Sequence, residues 1–296
     1  MSEFEAKRAR LFGLAYRLLG SAMEAEDVVQ ESFLRWHGAD RAMIASPSAW
    51  LARVVTNLCL NQITSARAQR EQYVGPWLPE PVLTADEALG PLETAEQRDS
   101  VSLALLMVLE RLTPTERAVF VLREAFGYSH REIAETVGLS ETNIRQLYGR
   151  ARRRLTERQP RFRPDPDQHQ RLVEGFLSAA RLGDLPALEQ MLTADIVYQA
   201  DGGGKVSAAR RPVIGRDRVA RLFMGLLAKY AGILDLSFAE VNGDPAVLTW
   251  HNGNLLSVLM LTIVDGHIGA VWSLVNPEKL RFAARQVSHS GDPSGS

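Results

Sequence analysis

The sequence predicts a multidomain protein in which two all-helical modules precede an α+β domain. Apolar residues recur at helical spacing through residues 1–72 and again through residues 93–160. Between these stretches, residues 73–92 (YVGPWLPEPVLTADEALGPL) hold prolines and glycines that prevent a helix before Thr84. After residue 230 the apolar period falls towards two, which is typical of strands. Helices followed by an antiparallel sheet define the α+β class.

The predicted boundaries follow these changes of pattern. We expect a first helical module over 1–72, a linker over 73–92, a second helical module over 93–160, a proline-rich linker over 161–168, an α+β domain over 169–285 and a disordered tail over 286–296.

Composition excludes several classes of protein. The formal net charge is -1, so basic charge is local and the chain is no general nucleic-acid coat. Cys59 is the single cysteine, which excludes a disulfide framework and a cysteine zinc cluster, and we predict neither metal nor cofactor. Apolar runs of membrane-spanning length and a signal-peptide core are both missing, so we expect a cytoplasmic protein.

Residues 129–155 (SHREIAETVGLSETNIRQLYGRARRRL) have the pattern of a helix-turn-helix. Ser129 and Glu132 form a capping box at the first helix, and Gly138 suits the turn. The second helix has an apolar face around Ile144 and an opposite face able to meet base edges or phosphates, formed by Thr142, Asn143, Arg145, Gln146 and Arg150. This pattern predicts DNA binding; a solvated helix pair inside a larger core is the alternative.

Arginine density favours the DNA-binding interpretation. Only Glu157 opposes a run of arginines at positions 145, 150, 152, 153, 154, 158, 161 and 163. Such density is repulsive unless a polyanion relieves it.

The first module carries two further helix starts, Ser21 with Glu24 and Ser46 before Pro47. In the helix after Ser21 we predict core positions at Val28, Phe33, Leu34 and Trp36, and a polar, acidic face at Glu26, Asp27, Gln30 and Glu31. The linker is unusual for a tether because it contains Trp77, Leu78 and Val82, which favour docking on a partner surface.

Three segments of the helical modules resemble the extracytoplasmic-function (ECF) sigma factors of bacterial RNA polymerase. AEDVVQESFLRW resembles the polymerase-clamp helix of sigma region 2, and SPSAWLARVVTNLCLNQITSARAQRE resembles the helix that reads the promoter −10 element. LTPTERAVFVLREAFGYSHREIAETVGLSETNIRQLYGRARRRL resembles sigma region 4, the reader of the −35 element. WLPEP, DGGGK (201–205) and NPEKL (276–280) resemble the markers of a subgroup with a SnoaL-like C-terminal domain, a cone of the nuclear transport factor 2 type built from a curved sheet and helices.

The resemblance implies two partners, the clamp and flap of RNA polymerase core and promoter DNA. Polymerase binding would fall to Asp27, Gln30 and Glu31, and the −10 element to Asn57, Asn61, Gln62, Arg67 and Arg70. The −35 bases would meet Thr142, Asn143, Arg145 and Gln146, with phosphates bound by Arg150, Arg153 and Arg154. The family often has an acidic residue at Asn61, a glycine at Thr142 and an arginine at Leu147, so base preference is not carried over and Leu147 is predicted to turn inward.

The resemblance also implies a regulatory rather than an enzymatic role for the C-terminal domain. The predicted interdomain residues are Trp77, Leu78 and Pro79 as anchors, Asp201, Gly202, Gly203, Gly204 and Lys205 as receptor, and Asn276 and Pro277 as a brace. We expect a monomer when free, with an unknown small ligand in the cone as a further possible partner. The alternative is a helix-turn-helix regulator fused to a ligand-binding or isomerase-like enzyme, whose acid/base candidates would be Asp195, Asp201, Asp235, His251 and Tyr198.

Overall fold

A computed structural model describes residues 3–84, 89, 100–156 and 166–290, without the side chains of 64–71, 156, 166–167, 289 and 290. The chain forms two compact units. The first unit comprises Met1–Gln72 and Thr84–Gln159, and the second comprises Tyr73–Leu83 and Pro160–Ser296. The first eleven residues of the predicted linker therefore group with the C-terminal part of the chain.

The first module of the first unit is a three-helix bundle of α1 (Arg8–Leu19), α2 (Ala22–Gly38) and α3 (Pro47–Glu71). Gly20 ends α1 in the left-handed conformation, and the Ser21 hydroxyl accepts the Glu24 N–H to begin α2. Each of the three helices buries apolar side chains, among them Leu14, Val29 and Val55.

The second module contains α4 (Leu103–Leu109), α5 (Pro114–Glu124), α6 (His130–Val137) and α7 (Glu141–Thr156). Capping boxes begin two of them, formed by Thr113 with Glu116 at α5 and by Ser129 with Glu132 at α6. The box at Ser129 and Glu132 confirms the sequence prediction.

Two buried arginines join the modules of the first unit. Arg117 of α5, 2% exposed, donates from Nη1 to the Leu18 carbonyl (2.8 Å) and from Nε to the Leu109 carbonyl (3.0 Å). Its guanidinium therefore satisfies the C-terminal ends of α1 and α4 together. Arg17 donates to the Ser100 hydroxyl over 2.9 Å, and burial lowers the pKa of Arg17 to about 10.

The second unit is α+β, as predicted. Its helices are α8 (Pro166–Leu182), α9 (Leu185–Met191), α10 (Arg216–Lys229) and α11 (Pro277–Ser290). Its strands are β1 (Leu192–Asp201), β2 (Val213–Ile214), β3 (Asp235–Val241), β4 (Asp244–His251), β5 (Asn254–Val264) and β6 (His267–Leu274).

The strands form one sheet in the order β2-β1-β6-β5-β4-β3. Turns at Asn242, Asn252 and Asp265, each with positive φ and a following glycine, connect β3 to β6 as antiparallel hairpins. Register shifts in β4–β5 and β5–β6 are sites where bulges bend a sheet. Aromatic side chains fill the core under the helices: Phe223 lies 4.8 Å from Phe176 and 5.4 Å from Tyr198, centroid to centroid.

Three sequence expectations for this unit need correction. β1 was not predicted, and it pairs parallel to β6, so the sheet is mixed. α8 begins at Pro166, inside the predicted proline-rich linker, because proline is tolerated in the first turn of a helix. The predicted tail from residue 286 is helical to Ser290, since Gln286 is buried and hydrogen-bonded.

Candidate functional site

Helices α6 and α7 form the helix-turn-helix that the sequence predicts. Gly138 adopts φ 77° at the turn, where a β-carbon would strain the backbone. Ile144, Leu147 and Ala151 are buried on one face of α7, which confirms that Leu147 turns inward. The hydrogen bonds that Ser129 makes from its hydroxyl and backbone N–H lower the pKa of Glu132 and so stabilise the start of α6.

The opposite face of α7 is open to solvent. Most of its predicted DNA contacts are exposed, namely Thr142, Arg145, Gln146, Arg150, Arg153 and Arg154, with Asn143 half-buried. Arg145 pairs with Glu141 one turn earlier, at 2.5 Å, in a solvent-exposed ion pair. Tyr148 donates to Glu124 and so fixes α7 against α5; burial, followed by this hydrogen bond, raises the pKa of Tyr148.

Two of the predicted phosphate contacts already have an internal partner. Arg154 Nη1 lies 2.7 Å from Glu116 Oε2, and Arg150 Nε lies 3.8 Å from Glu116 Oε1. Glu116 is buried, yet about half of each arginine side chain is exposed. Arg153 donates within its own helix, to the Gly149 carbonyl. Arg158, Arg161 and Arg163 lie outside the described residues.

In the first module, the predicted −10 residues Asn57 and Asn61 are exposed on α3, with Gln62 half-buried beside them. Leu51 and Cys59 are buried on the other side of the helix. Arg67 and Arg70 belong to the same helix, but their side chains lie outside the described part.

The predicted polymerase-binding residues lie on the outer face of α2. Asp27 and Gln30 are exposed, and Glu31 pairs with Arg35 at 2.9 Å. Phe33 and Leu34, expected in the core, are 39% and 59% exposed, because α2 turns only its Val28 and Trp36 side towards the bundle. A mixed polar and apolar face of this kind suits a protein partner better than an acidic face alone.

In the second unit, a buried carboxylate holds the linker. Asp201, at the end of β1, is fully buried. Its Oδ1 accepts the Tyr73 hydroxyl at 2.5 Å, and its Oδ2 accepts the Leu78 N–H at 2.8 Å and Lys279 Nζ at 2.7 Å. The same ammonium donates to the Leu78 carbonyl at 2.5 Å, so one residue of the linker is bound at both its N–H and its C=O.

Aromatic rings of the linker enclose that ammonium. Lys279 Nζ lies 4.1 Å from the Trp77 ring centroid and 4.8 Å from that of Tyr73, both within cation–π range. Asn276 Nδ2 donates to the Tyr73 hydroxyl at 2.8 Å. Burial and the bond to Asp201 raise the pKa of Tyr73 above its usual value.

Asn242 and Gln286 bind the last two linker residues that belong to the second unit, Val82 and Leu83. Asn242 accepts the Val82 N–H through Oδ1 (3.2 Å) and donates its own N–H to the Val82 carbonyl (2.9 Å). Gln286 of α11 does the same for Leu83, accepting at 2.8 Å and donating at 3.2 Å. Leu83 also bridges Val241 at the edge of β3 in antiparallel register. Leu78, Pro79 and Val82 are buried, while Trp77 is half-buried.

The glycines of the DGGGK loop allow the linker to approach it closely. A β-carbon on Gly203 (φ 56°) would collide with Asn276 Nδ2 and would lie 2.8 Å from the Tyr73 hydroxyl. One on Gly204 would lie 3.2 Å from Val74, and Gly202 is buried against Ala208. Close approach of the linker therefore requires glycine here.

Lys205 does not hold the linker as expected. Within the described residues its ammonium pairs with Glu278 at 3.0 Å, with both side chains about half exposed, and the linker-binding ammonium is Lys279 instead. Sequence reasoning missed Tyr73, Asn242, Lys279 and Gln286 as binding residues. NPEKL did point to Lys279, but Pro277 is exposed and only begins α11.

The acid/base candidates do not gather at one site. Asp195 and Asp235 are exposed, and His251 Nδ1 lies 3.0 Å from the Ile233 carbonyl at the surface. Tyr198 is in the apolar core, where burial raises its pKa. Among the described residues, no cluster of histidine, cysteine and acidic side chains could hold a metal ion, and every helix is too short or too polar to cross a bilayer.

Comparison with known proteins matches both units. Residues 4–69 match the family model Sigma-70 region 2, and residues 102–155 match Sigma-70, region 4. The chain is 38% identical to ECF RNA polymerase sigma factor SigJ of Mycobacterium tuberculosis, over 94% of this chain and 92% of that protein. It is 36% identical to the probable ECF sigma factor SigI of the same organism, over 94% and 93%.

The fold agrees with this relationship. The crystal structure of Mycobacterium tuberculosis SigJ matches with a TM-score of 0.76 and 36% identity, covering 95% of this chain and 98% of that one. The likeness extends through both helical modules and the α+β domain. The chain therefore belongs to the ECF sigma factors, which bind RNA polymerase core and promoter DNA to direct transcription initiation.

Proposed function

We propose that the second unit regulates this sigma factor in cis, by holding residues 73–83 of the linker between the two promoter-reading modules. The bonds of the buried Asp201 carboxylate to Tyr73, Leu78 and Lys279 carry the proposal. A passive tether would leave its backbone to water, whereas this segment is bound at Leu78, Val82 and Leu83.

The energy available is large enough to act as a switch. Hydrogen bonds to charged groups contribute about 1.5–3 kcal/mol each, and a single kcal/mol changes an equilibrium about fivefold. Since the held segment is part of the only covalent connection between the modules, its release changes the range of separations they can reach. An eleven-residue segment that is freed extends to about 36–40 Å.

The reading surfaces themselves complete the proposal. Asn143, Arg145 and Gln146 would read bases of the −35 element, with Thr142 beside them, and Arg153 would bind a phosphate together with the exposed parts of Arg150 and Arg154. Asn57, Asn61 and Gln62, followed by Arg67 and Arg70, would read the −10 element. Asp27, Gln30 and Glu31, with the exposed Phe33 and Leu34, would bind the polymerase clamp.

One substitution pair tests cis-regulation. Asp201→Asn removes the charge from the linker site without changing its shape, and Asp195→Asn makes the same change at an exposed position of the same strand. Transcription from a cognate promoter with core polymerase is measured beside limited proteolysis of residues 73–83. We expect Asp201→Asn to expose the linker to protease and change transcript yield several-fold, while Asp195→Asn does neither.

Either failure would be informative. An exposed linker with unchanged transcription would contradict regulation in cis, whereas a chain that does not co-elute with core polymerase at low salt would contradict the polymerase-binding surface.

A further inference from the structure

The second unit carries a basic segment that its linker site does not use. Residues 205–221 contain six lysines and arginines and one aspartate, whereas the rest of residues 166–290 contains six basic and eleven acidic residues. Residues 166–290 are thus neutral as a whole, but their basic charge is concentrated in one segment. All six cations of the segment are exposed.

Two of these six cations form ion pairs among the described residues, and four do not. Lys205 pairs with Glu278, and Arg221 pairs with Asp217. Arg210, Arg211, Arg216 and Arg218 form no ion pair within the described residues, although residues 166–290 outside this segment contain eleven acidic and only six basic residues. We call these four residues the arginine segment.

Two of these arginines occupy positions where a positive charge lowers the stability of the folded unit. Arg216 and Arg218 occupy the first turn of α10, where the unsatisfied N–H groups already give a positive partial charge. A cation there is electrostatically unfavourable. Folding alone would favour acidic residues at both positions, so an external anion is the simpler reason for arginine.

The segment is also held in a fixed conformation. Ala208, Ala209 and Val213 pack against the core of the second unit, and β2 pairs with β1 through Val213 and Ile214. The two arginine pairs flank this strand, and the five residue-to-residue steps from Arg211 to Arg216 span at most about 18 Å. That span corresponds to about five base pairs of duplex at 3.4 Å each.

The arginine segment borders the start of the linker. A β-carbon on Gly75 would lie 3.8 Å from the Arg210 Cα, and Gly204 lies against Val74. Only three residues separate Gly75 from Glu71, the last residue of α3, which is the predicted −10 reader. Chain connectivity therefore limits how far this basic surface can lie from the end of the predicted −10 helix.

We propose that the arginine segment of the second unit is an additional DNA-binding surface, which contacts the phosphates of promoter DNA beside the −10 reader. The proposal rests on the family's promoter-binding function but not on regulation by Asp201. Guanidinium groups bind phosphate oxygens bidentately, so the contact adds affinity and salt dependence without base specificity.

Salt titration of promoter binding tests this surface in the full chain with core polymerase. The variant replaces Arg210, Arg211, Arg216 and Arg218 by glutamine. The control replaces Arg171, Arg181, Lys229 and Arg281 by glutamine, which removes the same charge from exposed positions elsewhere on the second unit. The slope of log K against log salt falls by about 0.9 for each phosphate that the protein no longer neutralises.

We expect the slope of the variant to fall by about 2 to 4 and that of the control to stay unchanged. Equal slopes in the two proteins would overturn the proposal. A variant that loses affinity for core polymerase while keeping its DNA slope would also overturn it, because the segment would then face an acidic protein surface.

The double variant Arg216→Gln, Arg218→Gln tests whether misfolding explains a loss of binding. Because it relieves repulsion at the start of α10, thermal unfolding should occur at an equal or higher temperature, while promoter binding weakens. A lower melting temperature with a parallel loss of binding would assign the arginines to the fold instead. Asp201→Asn, measured in parallel, separates this result from a failure of cis-regulation.

Discussion

Arg145–Glu141 on the recognition helix and Lys279–Asp201 beside the linker are both close ion pairs, at 2.5 and 2.7 Å, but their surroundings are opposite. The first pair is 64% and 42% exposed, the second 8% and 0%. An exposed pair contributes little and exchanges readily for another anion, whereas breaking a buried pair leaves an uncompensated charge. Arg145 is therefore free to exchange Glu141 for another anion, whereas Lys279 and Asp201 are committed to each other.

The largest effect is expected from a substitution that breaks the buried ion pair. Lys279→Met leaves the Asp201 carboxylate buried without its counter-charge and should lower the free energy of unfolding by about 3–5 kcal/mol. The matched surface change, Lys205→Met, removes a half-exposed pair and should cost less than about 1 kcal/mol. Urea denaturation measures both, and similar losses would contradict the contrast between the pairs.

A glycine variant tests the same site through the backbone. Gly203→Ala places a β-carbon against Asn276 and Tyr73 at φ 56°, and we expect a loss of about 3 kcal/mol and a linker open to protease. Gly253→Ala is the control, because its φ of 76° is similarly strained but nothing lies within 4 Å. Equal losses in the two variants would show that the linker contact contributes nothing beyond backbone strain.

At the exposed pair, the effect should appear in binding and not in stability. Arg145→Ala should weaken promoter binding by about 2 kcal/mol, roughly 30-fold, because it removes a base contact. Arg131→Ala disrupts an equivalent i,i+4 pair with Glu135 on α6 and should change neither property by much. Fluorescence anisotropy of the holoenzyme on promoter DNA distinguishes them, and a stability loss in Arg145→Ala would contradict a reading role.

The smallest expected effect is a change in how stability depends on pH, caused by Tyr73. Because the pKa of Tyr73 is raised in the folded protein, its contribution is complete below the unfolded pKa of about 10 and is lost as pH rises above it. Tyr73→Phe should cost about 1 kcal/mol at pH 7 and lose less further stability between pH 9 and 11 than the parent chain. Parallel pH profiles for the two proteins would contradict this linkage.

Local sequence patterns predicted the helical modules well. Ser129 with Glu132, Thr113 with Glu116, and the turn at Gly138 all depend on residues a few positions apart, and local chemistry decides them. The α+β class was equally readable, because the Asn-Gly and Asp-Gly turns force hairpins.

Long-range pairings were not readable. β1 lies parallel to β6 across more than seventy residues, and its apolar run matched no local template. Lys279 and Gln286 face the linker only because α11 packs beside it, and a lysine or glutamine on a helix otherwise suggests a solvated surface. WLPEP, DGGGK and NPEKL lie together in the structure, where Lys279 and not Lys205 contacts the linker.

Arg117 has a consequence for how a two-element reader engages a promoter. One guanidinium satisfies the last carbonyls of α1, from the −10 module, and of α4, from the −35 module. Both helix ends thus depend on the same guanidinium. Whenever they part, one helix end must find water or polymerase in its place, so separation carries a threshold that a partner has to overcome. Arg117, which belongs to neither predicted reading surface, thereby opposes separation of the two modules.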